Sequence, residues 1–336
     1  MKPENLNSFN TLSNLVGSGK YLVVQNTRMD FESNTYISEL WKRTNSEWKK
    51  FKSGNNNFSN PKFGSQPNTI YYVQTNRAVQ DKSKSKKNLS TIQVQIGRSV
   101  EKLFEIEGSI SNYTLSNNEK FMYVTTNEWS EEFKSIESKD SEPMYYESLP
   151  FRFDTRGIIY NKRGHVYKVN LKTKKFNKIV DGDKSDIISI DSLAESKEGI
   201  TIAYNQYNSK GTMLEEKIGS LEGINIKEIF SKGSMGNLFY YQDELYAVGL
   251  KNRFDWPTNT NILKISKTGK VSFKYHSLDR NVVKAEVNNS KLYFLYEDSG
   301  KTILRDADSD VDLVNEEVTI KDFAFNDNKT YVIANS

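Results

Sequence analysis

A polar turn followed by a short apolar strand recurs seven times along the chain. These strands begin at Tyr21, Ile70, Phe121, Ile200, Leu245, Leu292 and Thr330, at intervals of 49, 51, 79, 45, 47 and 38 residues. Four short strands with their turns occupy about 40–50 residues, which is the length of one β-propeller blade. The 79-residue interval holds one blade and an insertion of roughly 30 residues.

The residues within the repeat are typical of strands. Tyrosines (19) and phenylalanines (18) occur with β-branched neighbours in short runs bounded by Asn, Asp, Ser and Gly, and such runs indicate strands. The sequence therefore predicts an all-β fold, a seven-bladed β-propeller spanning residues 1–336. Its blades start near residues 10, 58, 110, 187, 234, 282 and 318, with an insertion at 128–156 in the third. A β-sandwich is the competing fold, but it needs no fixed period.

The last repeat is shorter than the others. It provides an inner hairpin around Phe323 and Tyr331, and the residues up to Ser336 are too few for two outer strands. We therefore expect an incomplete seventh blade, and we expect the chain to be a fragment of a longer protein.

Charge, cysteine content and the length of the apolar runs exclude several classes of protein. The 47 Lys and Arg residues nearly balance 43 Asp and Glu residues, so the surface is mixed and a nucleic-acid partner is not expected. Cysteine is absent, which excludes a disulfide scaffold and a cysteine nucleophile. No apolar run reaches the roughly 18 residues of a membrane span, and the polar N-terminal residues do not form a signal peptide. A cytoplasmic protein without a membrane partner is expected.

Residues 147–183 carry a family resemblance. They resemble the propeller of the prolyl oligopeptidase family, particularly its acylaminoacyl-peptidase-like members. The matching residues are Leu149, Pro150, Phe151, Arg152, Phe153, Asp154, Gly157, His165, Tyr167, Val169, Asn170, Asp181, Gly182 and Asp183. In that family the propeller covers the active site of a C-terminal α/β-hydrolase domain. The resemblance implies a non-catalytic N-terminal propeller that gates peptide access to a hydrolase domain absent from this chain. The implied partners are that domain and a peptide substrate.

The residues themselves predict no catalysis and no cofactor. A hydrolase nucleophile requires a G-x-S-x-G turn, which does not occur here. His165 and His276 lack the nucleophile and carboxylate context of a triad, so packing or surface roles are expected for both. The chain alone is predicted to be inactive, and the parent protein to be a serine peptidase.

The insertion supplies the candidate contact residues. It combines aromatic, acidic and basic side chains, and such a cluster in a long loop is typical of a contact surface. The candidates for substrate or interdomain contact are Trp129, Glu131, Glu132, Tyr145, Tyr146 and Arg152. Glu131 and Glu132 resemble the paired glutamates with which dipeptidyl-peptidase relatives hold a substrate's amino end, and packing of the insertion against the hydrolase domain or the neighbouring blade is the alternative.

One acidic segment has the spacing of a calcium-binding loop. Its candidate ligands are Asp306, Asp308, Asp310, Asp312 and Glu317, which match the EF-hand spacing. Val311 stands where the loop requires glycine, so a polar turn in the sixth blade is the alternative. The lysine run at 82–87 is interpreted as a solvated loop.

A second function class fits the same repeat. A freestanding propeller can bind a protein or a peptide, whereas a propeller enzyme needs a central ring of metal ligands or paired acids that the sequence does not identify. The coding sequence beyond residue 336 distinguishes the peptidase from the binding module.

Overall fold

The computed structural model describes twelve segments of the chain: residues 10–32, 35–44, 47–66, 68–76, 89–134, 145–153, 157–223, 225–255, 257–275, 278–314, 318–326 and 329–335. Within them the secondary structure is β apart from two four-residue helices. No helix in these segments is long and apolar enough to cross a membrane. His276, Glu317 and the lysine run at 82–87 lie outside the described residues.

The first half of the chain forms three four-stranded antiparallel sheets. The first has the order β1 (Asn10–Ser18), β2 (Tyr21–Asp30), β3 (Thr35–Thr44), β4 (Glu47–Lys52). The second has the order β5 (Asn56–Phe63), β6 (Thr69–Asn76), β7 (Leu89–Ile96), β8 (Ser99–Glu107). The third contains β9 (Ser109–Leu115), β10 (Phe121–Trp129), β13 (Lys162–Asn170) and β14 (Phe176–Val180), and its insertion carries α1 (Glu131–Lys134), β11 (Arg152–Phe153) and β12 (Gly157–Ile158).

Three further sheets follow the short helix α2 (Gly182–Ser185). The fourth contains β15 (Ile187–Ser196), β16 (Gly199–Tyr207), β17 (Leu214–Glu222) and β18 (Asn225–Phe230). The fifth contains β19 (Ser234–Tyr241), β20 (Glu244–Leu250), β21 (Asn261–Ile265) and β22 (Val271–Phe273). The sixth contains β23 (Val282–Asn288), β24 (Lys291–Asp298), β25 (Lys301–Asp306) and β26 (Val311–Asp312). A hairpin of β27 (Thr319–Asn326) and β28 (Lys329–Asn335) is the last element.

Burial within the sheets follows strand position. The second strands β6, β16 and β20 each contain five consecutive buried residues, whereas the fourth strands β4 and β18 contain none. Because successive side chains point to opposite faces, such a buried run requires cover on both faces of the sheet. This gradient from a covered inner strand to an exposed outer strand is that of a propeller blade.

The described residues divide into two compact units. One comprises residues of Met1–Ile110, Leu171–Lys174 and Glu316–Ser336, and the other those of Ser111–Asn170 and Lys175–Asn315. In the first unit the hairpin β27–β28 packs against β1. Leu15, Val24, Ala324 and Ile333 form its core, and the Leu15 amide donates to Asp322 Oδ2 at 2.9 Å.

The number of blades differs from the prediction. The all-β propeller architecture is confirmed, but the structure has six blades rather than seven, of which five are four-stranded sheets and the last belongs to a six-stranded sheet. The repeat was counted from inner hairpins, and a hairpin is only half of a blade. The seventh repeat, near Thr330, contributes β27 and β28, so it does not add a four-stranded sheet.

Candidate functional site

The insertion of the third blade leaves the end of β10. Trp129 pairs in register with Lys162 of β13, whose Nζ lies 3.4 Å from the centre of the indole ring. The Trp129 ring packs on the buried Phe133 of α1, with ring centres 4.5 Å apart. The indole is therefore half-buried between a cation and an aromatic ring, rather than open on the surface.

The paired glutamates lie on α1. Glu131 Oε1 accepts a hydrogen bond from Lys134 Nζ at 2.9 Å, and this bond lowers the pKa of Glu131. The backbone amide of Glu131 donates to Asp183 Oδ1 at 3.2 Å. Glu132 is exposed. Since Glu131 is already paired with Lys134, an incoming amine would compete with this lysine for the Glu131 carboxylate.

A second arm of the insertion surrounds β11 and β12. The Tyr146 ring stacks on Phe151, with centres 4.5 Å apart and planes 15° apart, and meets the edge of Tyr160 at 5.5 Å. The Tyr207 hydroxyl of the fourth blade donates to the Pro150 carbonyl at 2.7 Å. Within the second unit, these contacts fix the arm against the neighbouring blade.

The outer face of this arm is apolar and exposed. Tyr145 is 81% exposed and Leu149 is 58% exposed, and Arg152 is exposed beside them in sequence. The Leu149 amide nevertheless donates to the Gly211 carbonyl at 2.7 Å, so its backbone is held in place. We call Tyr145, Leu149 and Arg152 the insertion surface. It combines two exposed apolar side chains with one cation, and its backbone is held at Leu149.

A buried polar cluster lies where the insertion leaves the blade. His165 is fully buried, and its Nδ1 accepts a hydrogen bond from the Gly182 amide at 3.1 Å. A Cβ at position 182 would collide with the Gly164 carbonyl oxygen, so only glycine brings its amide this close. Because Nδ1 is an acceptor, the neutral imidazole carries its proton on Nε2. We call His165, Glu128, Tyr167, Asp181 and Asp183 the His165 cluster.

Glu128 is the centre of the His165 cluster. Its Oε1 accepts hydrogen bonds from Thr126 Oγ1 at 2.8 Å and from the Tyr167 hydroxyl at 3.0 Å. Lys134 Nζ lies 3.5 Å from Oε2. Burial, with the charge of Glu128, raises the pKa of Tyr167, and burial lowers the pKa of His165. The cluster thus holds a neutral histidine and a neutral tyrosine around a buried carboxylate.

The His165 cluster contains the one group of described residues with metal-ligand proximity. Ligand atoms of His165, Asp181 and Asp183 lie within 4.8 Å of one another. The Gly182 amide occupies the lone pair of His165 Nδ1, and Nε2 is protonated, so the ring has no lone pair to give to a metal. We assign a structural role to this cluster.

The acidic segment of the sixth blade is organised around an arginine. Arg305 Nε and Nη2 bind the two carboxylate oxygens of Asp312 at 2.7 and 3.1 Å, and Arg305 Nη1 binds Asp310 at 3.1 Å. Arg305 Nη2 also lies 3.1 Å from the Tyr296 hydroxyl. We call Arg305, Asp310, Asp312 and Tyr296 the Arg305 cluster. Its guanidinium holds two of the predicted calcium ligands.

The other two described acids of this segment have separate partners. Asp306 Oδ1 accepts from the amides of Asp308 and Ser309, as in a polar turn. Asp308 Oδ1 accepts from the Tyr241 hydroxyl at 2.5 Å, and burial together with this bond raises the pKa of Tyr241 to about 12. Among the described residues, the four aspartates do not converge on one point; the calcium site, whose fifth ligand Glu317 lies outside these residues, stays a prediction.

Comparison with solved structures finds propeller domains of peptidases. Pyrococcus horikoshii acylaminoacyl peptidase superposes with a TM-score of 0.72 at 15% identity, over 96% of this chain and 49% of that chain. The propeller domain of the Trilobed protease from Pyrococcus furiosus, described as having an open Velcro topology, gives 0.64 at 14% identity, over 94% and 89%. A puromycin-hydrolysing peptidase from Mycobacterium tuberculosis gives 0.61 at 11% identity, over 98% and 50%.

These likenesses establish the fold. No family model and no curated protein matches the sequence. The chain spans about half the length of the P. horikoshii and M. tuberculosis proteins, with 49% and 50% of those chains covered. The structural neighbours are therefore propeller domains of acylaminoacyl peptidase and related prolyl oligopeptidase-family proteins, as residues 147–183 predicted.

Proposed function

We propose that this chain is the non-catalytic propeller of a cytoplasmic serine peptidase of the acylaminoacyl-peptidase type. In this role it limits which peptides reach a hydrolase domain in the same protein. The fold likeness to P. horikoshii acylaminoacyl peptidase, over 96% of this chain, supports the proposal, and so does the absence of a G-x-S-x-G turn from its sequence.

The insertion surface is the observation that carries the proposal. Tyr145 and Leu149 are large and exposed, while the Leu149 amide and the Pro150 carbonyl are hydrogen-bonded to the fourth blade. Burial of apolar area contributes about 25 cal/mol per Å², and a preorganised surface loses little entropy on docking. These features suit a domain interface, with Arg152 placed to meet an acidic group at its rim.

The proposal also accounts for the hairpin β27–β28. It packs on β1 through Ala324 and Ile333, as the inner strands of one blade pack on the next. We interpret it as the inner half of a seventh blade whose outer strands are supplied by other residues of the protein.

Two experiments test the function. The coding sequence beyond residue 336 should contain a strand, a G-x-S-x-G turn and a helix. This chain alone should not react with a fluorophosphonate probe, which labels activated serines. Stoichiometric labelling of a serine in this chain would refute the proposal. A coding sequence without a hydrolase domain would favour the freestanding binding module.

A variant tests the insertion surface in the complete protein. Tyr145→Ala should change kcat/KM for long peptides several-fold and leave it unchanged for short peptides, because gating depends on substrate size. Tyr36→Ala is the matched control, since Tyr36 is also exposed, at 65%, but lies on β3. Equal kcat/KM values in Tyr145→Ala and wild type for both peptide lengths would contradict a gating role.

A further inference from the structure

The connection between β20 and β21 forms a pocket that the proposed function does not use. The pocket has a volume of about 660 Å³, within the range of about 300–1,000 Å³ that is usual for small-ligand sites. Its main lining residues are Phe230, Lys232, Lys251, Arg253, Phe254 and Phe273. Three cations and three phenylalanines thus face one space.

The pocket is positively charged. Lys232 and Lys251 are exposed, and neither makes an ion pair within the described segments of the chain. Asp255 is the acidic residue of the lining, and its Oδ1 accepts from Asn252 Nδ2 at 2.9 Å. Arg253 is paired with Glu215 at 3.3 Å, but the two lysines still outnumber the Asp255 carboxylate, so the pocket attracts an anionic group.

The Arg253 guanidinium has more hydrogen-bond donors than the described residues satisfy. Its Nη2 donates to the Ser231 carbonyl at 3.0 Å and to Glu215 Oε1 at 3.3 Å. Its Nε and Nη1 are buried and have no acceptor among the described residues. A buried donor without an acceptor costs free energy, so an acceptor that reached these two donors would stabilise the Arg253 side chain.

The phenylalanines of the pocket are also accessible to solvent. Phe254 is 70% exposed and Phe273 is 40% exposed, while Phe230 is half-buried. The Arg253 guanidinium carbon lies 5.5 Å from the centre of the Phe254 ring. An inorganic anion would leave these rings in water, whereas an apolar group attached to the anion would cover them.

The connection is fixed before any ligand arrives. The Arg253 amide donates to the Lys232 carbonyl at 3.0 Å, and the Phe254 amide donates to Asn252 Oδ1 at 3.1 Å. The first bond ties residue 253 to the turn between β18 and β19, and the second holds residues 252–254 together. A preformed site loses less conformational entropy on binding.

We propose that this pocket binds an organic carboxylate attached to a large apolar group. The carboxylate pairs with Lys232, Lys251 and Arg253, and the apolar group packs on Phe254 and Phe273. The C-terminal residue of a peptide and a free N-acylated apolar amino acid share this chemistry. The pocket binds such a ligand whether or not the protein also contains a hydrolase domain.

Calorimetric titration of this chain with four probes tests the site. The probes are N-acetylphenylalanine, a tetrapeptide ending in phenylalanine with a free carboxylate, and the C-terminal amide of each. Both acids should bind, and each amide should bind at least fivefold more weakly because it lacks the charge. Binding of the tetrapeptide acid alone would assign the ligand to peptide C-termini, and equal affinity of both acids would show that one residue suffices. Amides as tight as their acids, or no binding of either acid at about 10 mM, tenfold above a Kd of ~1 mM, would overturn the proposal.

Variants locate the binding. Lys232→Gln and Lys251→Gln should each weaken N-acetylphenylalanine up to about fivefold, as expected for exposed ion pairs, and Phe254→Ala should weaken it as well. Lys120→Gln is the matched control, because Lys120 is an exposed lysine of the third blade. All four variants should keep the wild-type Tm. An unchanged affinity in the folded Lys232→Gln/Lys251→Gln double variant would refute the site.

Discussion

The His165 cluster and the Arg305 cluster have similar ingredients and opposite surroundings. Each combines carboxylates, a tyrosine hydroxyl and a nitrogen-containing side chain within the second unit. In the His165 cluster the Glu128 carboxylate is 5% exposed, whereas in the Arg305 cluster Asp312 is 31% exposed. Burial, rather than composition, separates the two.

The difference shows in how charge is balanced. In the Arg305 cluster a permanent cation meets two carboxylates directly, and water solvates what remains. In the His165 cluster the cation nearest to Glu128, Lys134, lies 3.5 Å from Oε2, and Oε1 accepts its hydrogen bonds from two neutral hydroxyl groups. A buried carboxylate held by neutral donors is costly to disturb, because each donor loses its acceptor without gaining water.

The largest expected effect follows removal of the buried carboxylate. Glu128→Ala leaves Thr126 and the Tyr167 hydroxyl without their acceptor, and we expect the free energy of unfolding to fall by about 3 kcal/mol. Urea unfolding followed by far-UV circular dichroism measures this. Glu132→Ala is the control on the exposed side of α1, expected to change stability by less than about 0.5 kcal/mol. Equal losses in the two variants would mean that burial does not make the Glu128 carboxylate costly to remove.

An intermediate effect concerns pH. Burial holds the pKa of His165 below its ordinary value of 6.5, so the unfolded chain takes up a proton at higher pH than the folded chain. Stability contributed by this residue is complete above about pH 6.5 and falls as pH decreases toward the folded pKa, by at most about 1.4 kcal/mol per pH unit. Urea unfolding at several pH values between 7.5 and 5 should show this slope reduced in His165→Asn. A slope identical to that of the wild type would contradict a buried neutral histidine.

The smallest effect is expected in the Arg305 cluster. Asp312→Asn removes a two-bond ion pair that is partly exposed, and we expect a loss of about 0.5–1 kcal/mol. Because salt screens exposed charges, the difference from wild type should shrink between low and high ionic strength. A loss as large as that of Glu128→Ala, insensitive to salt, would remove the contrast between the clusters.

The repeat carried most of the fold information available in the sequence. Hairpins are local, so the turn before Tyr21 or Leu245 already indicates the strand that begins there or one residue earlier. The number of blades was harder to predict than the strands, because a hairpin such as β27–β28 has the same local sequence signal as a whole blade. The insertion was also visible from its length, but the placement of its aromatic residues depends on contacts with the fourth blade.

The partners of the side chains in the two polar clusters could not be predicted from the sequence. His165 lies in the strand β13 with Val166 and Val169 buried beside it, which could have indicated a buried ring. Glu128, however, comes near His165 only through the register of β10 with β13, and Gly182 only through the pairing of β13 with β14. For the acidic segment, the spacing of the aspartates resembled a calcium loop, while the neighbouring Arg305 was the signal for internal neutralisation.

The packing of β27–β28 on β1 has a consequence for synthesis on the ribosome. The first unit is assembled from residues at both ends of the described chain, so Leu15 and Val24 obtain the cover of Ala324 and Ile333 only after the second unit has been made. At about 5–20 residues per second, the intervening stretch of roughly 200 residues takes roughly 10–40 s to translate. During that time one face of the first blade is open to chaperones and to neighbouring nascent chains, while the second unit, nearly continuous in sequence, can fold as it emerges.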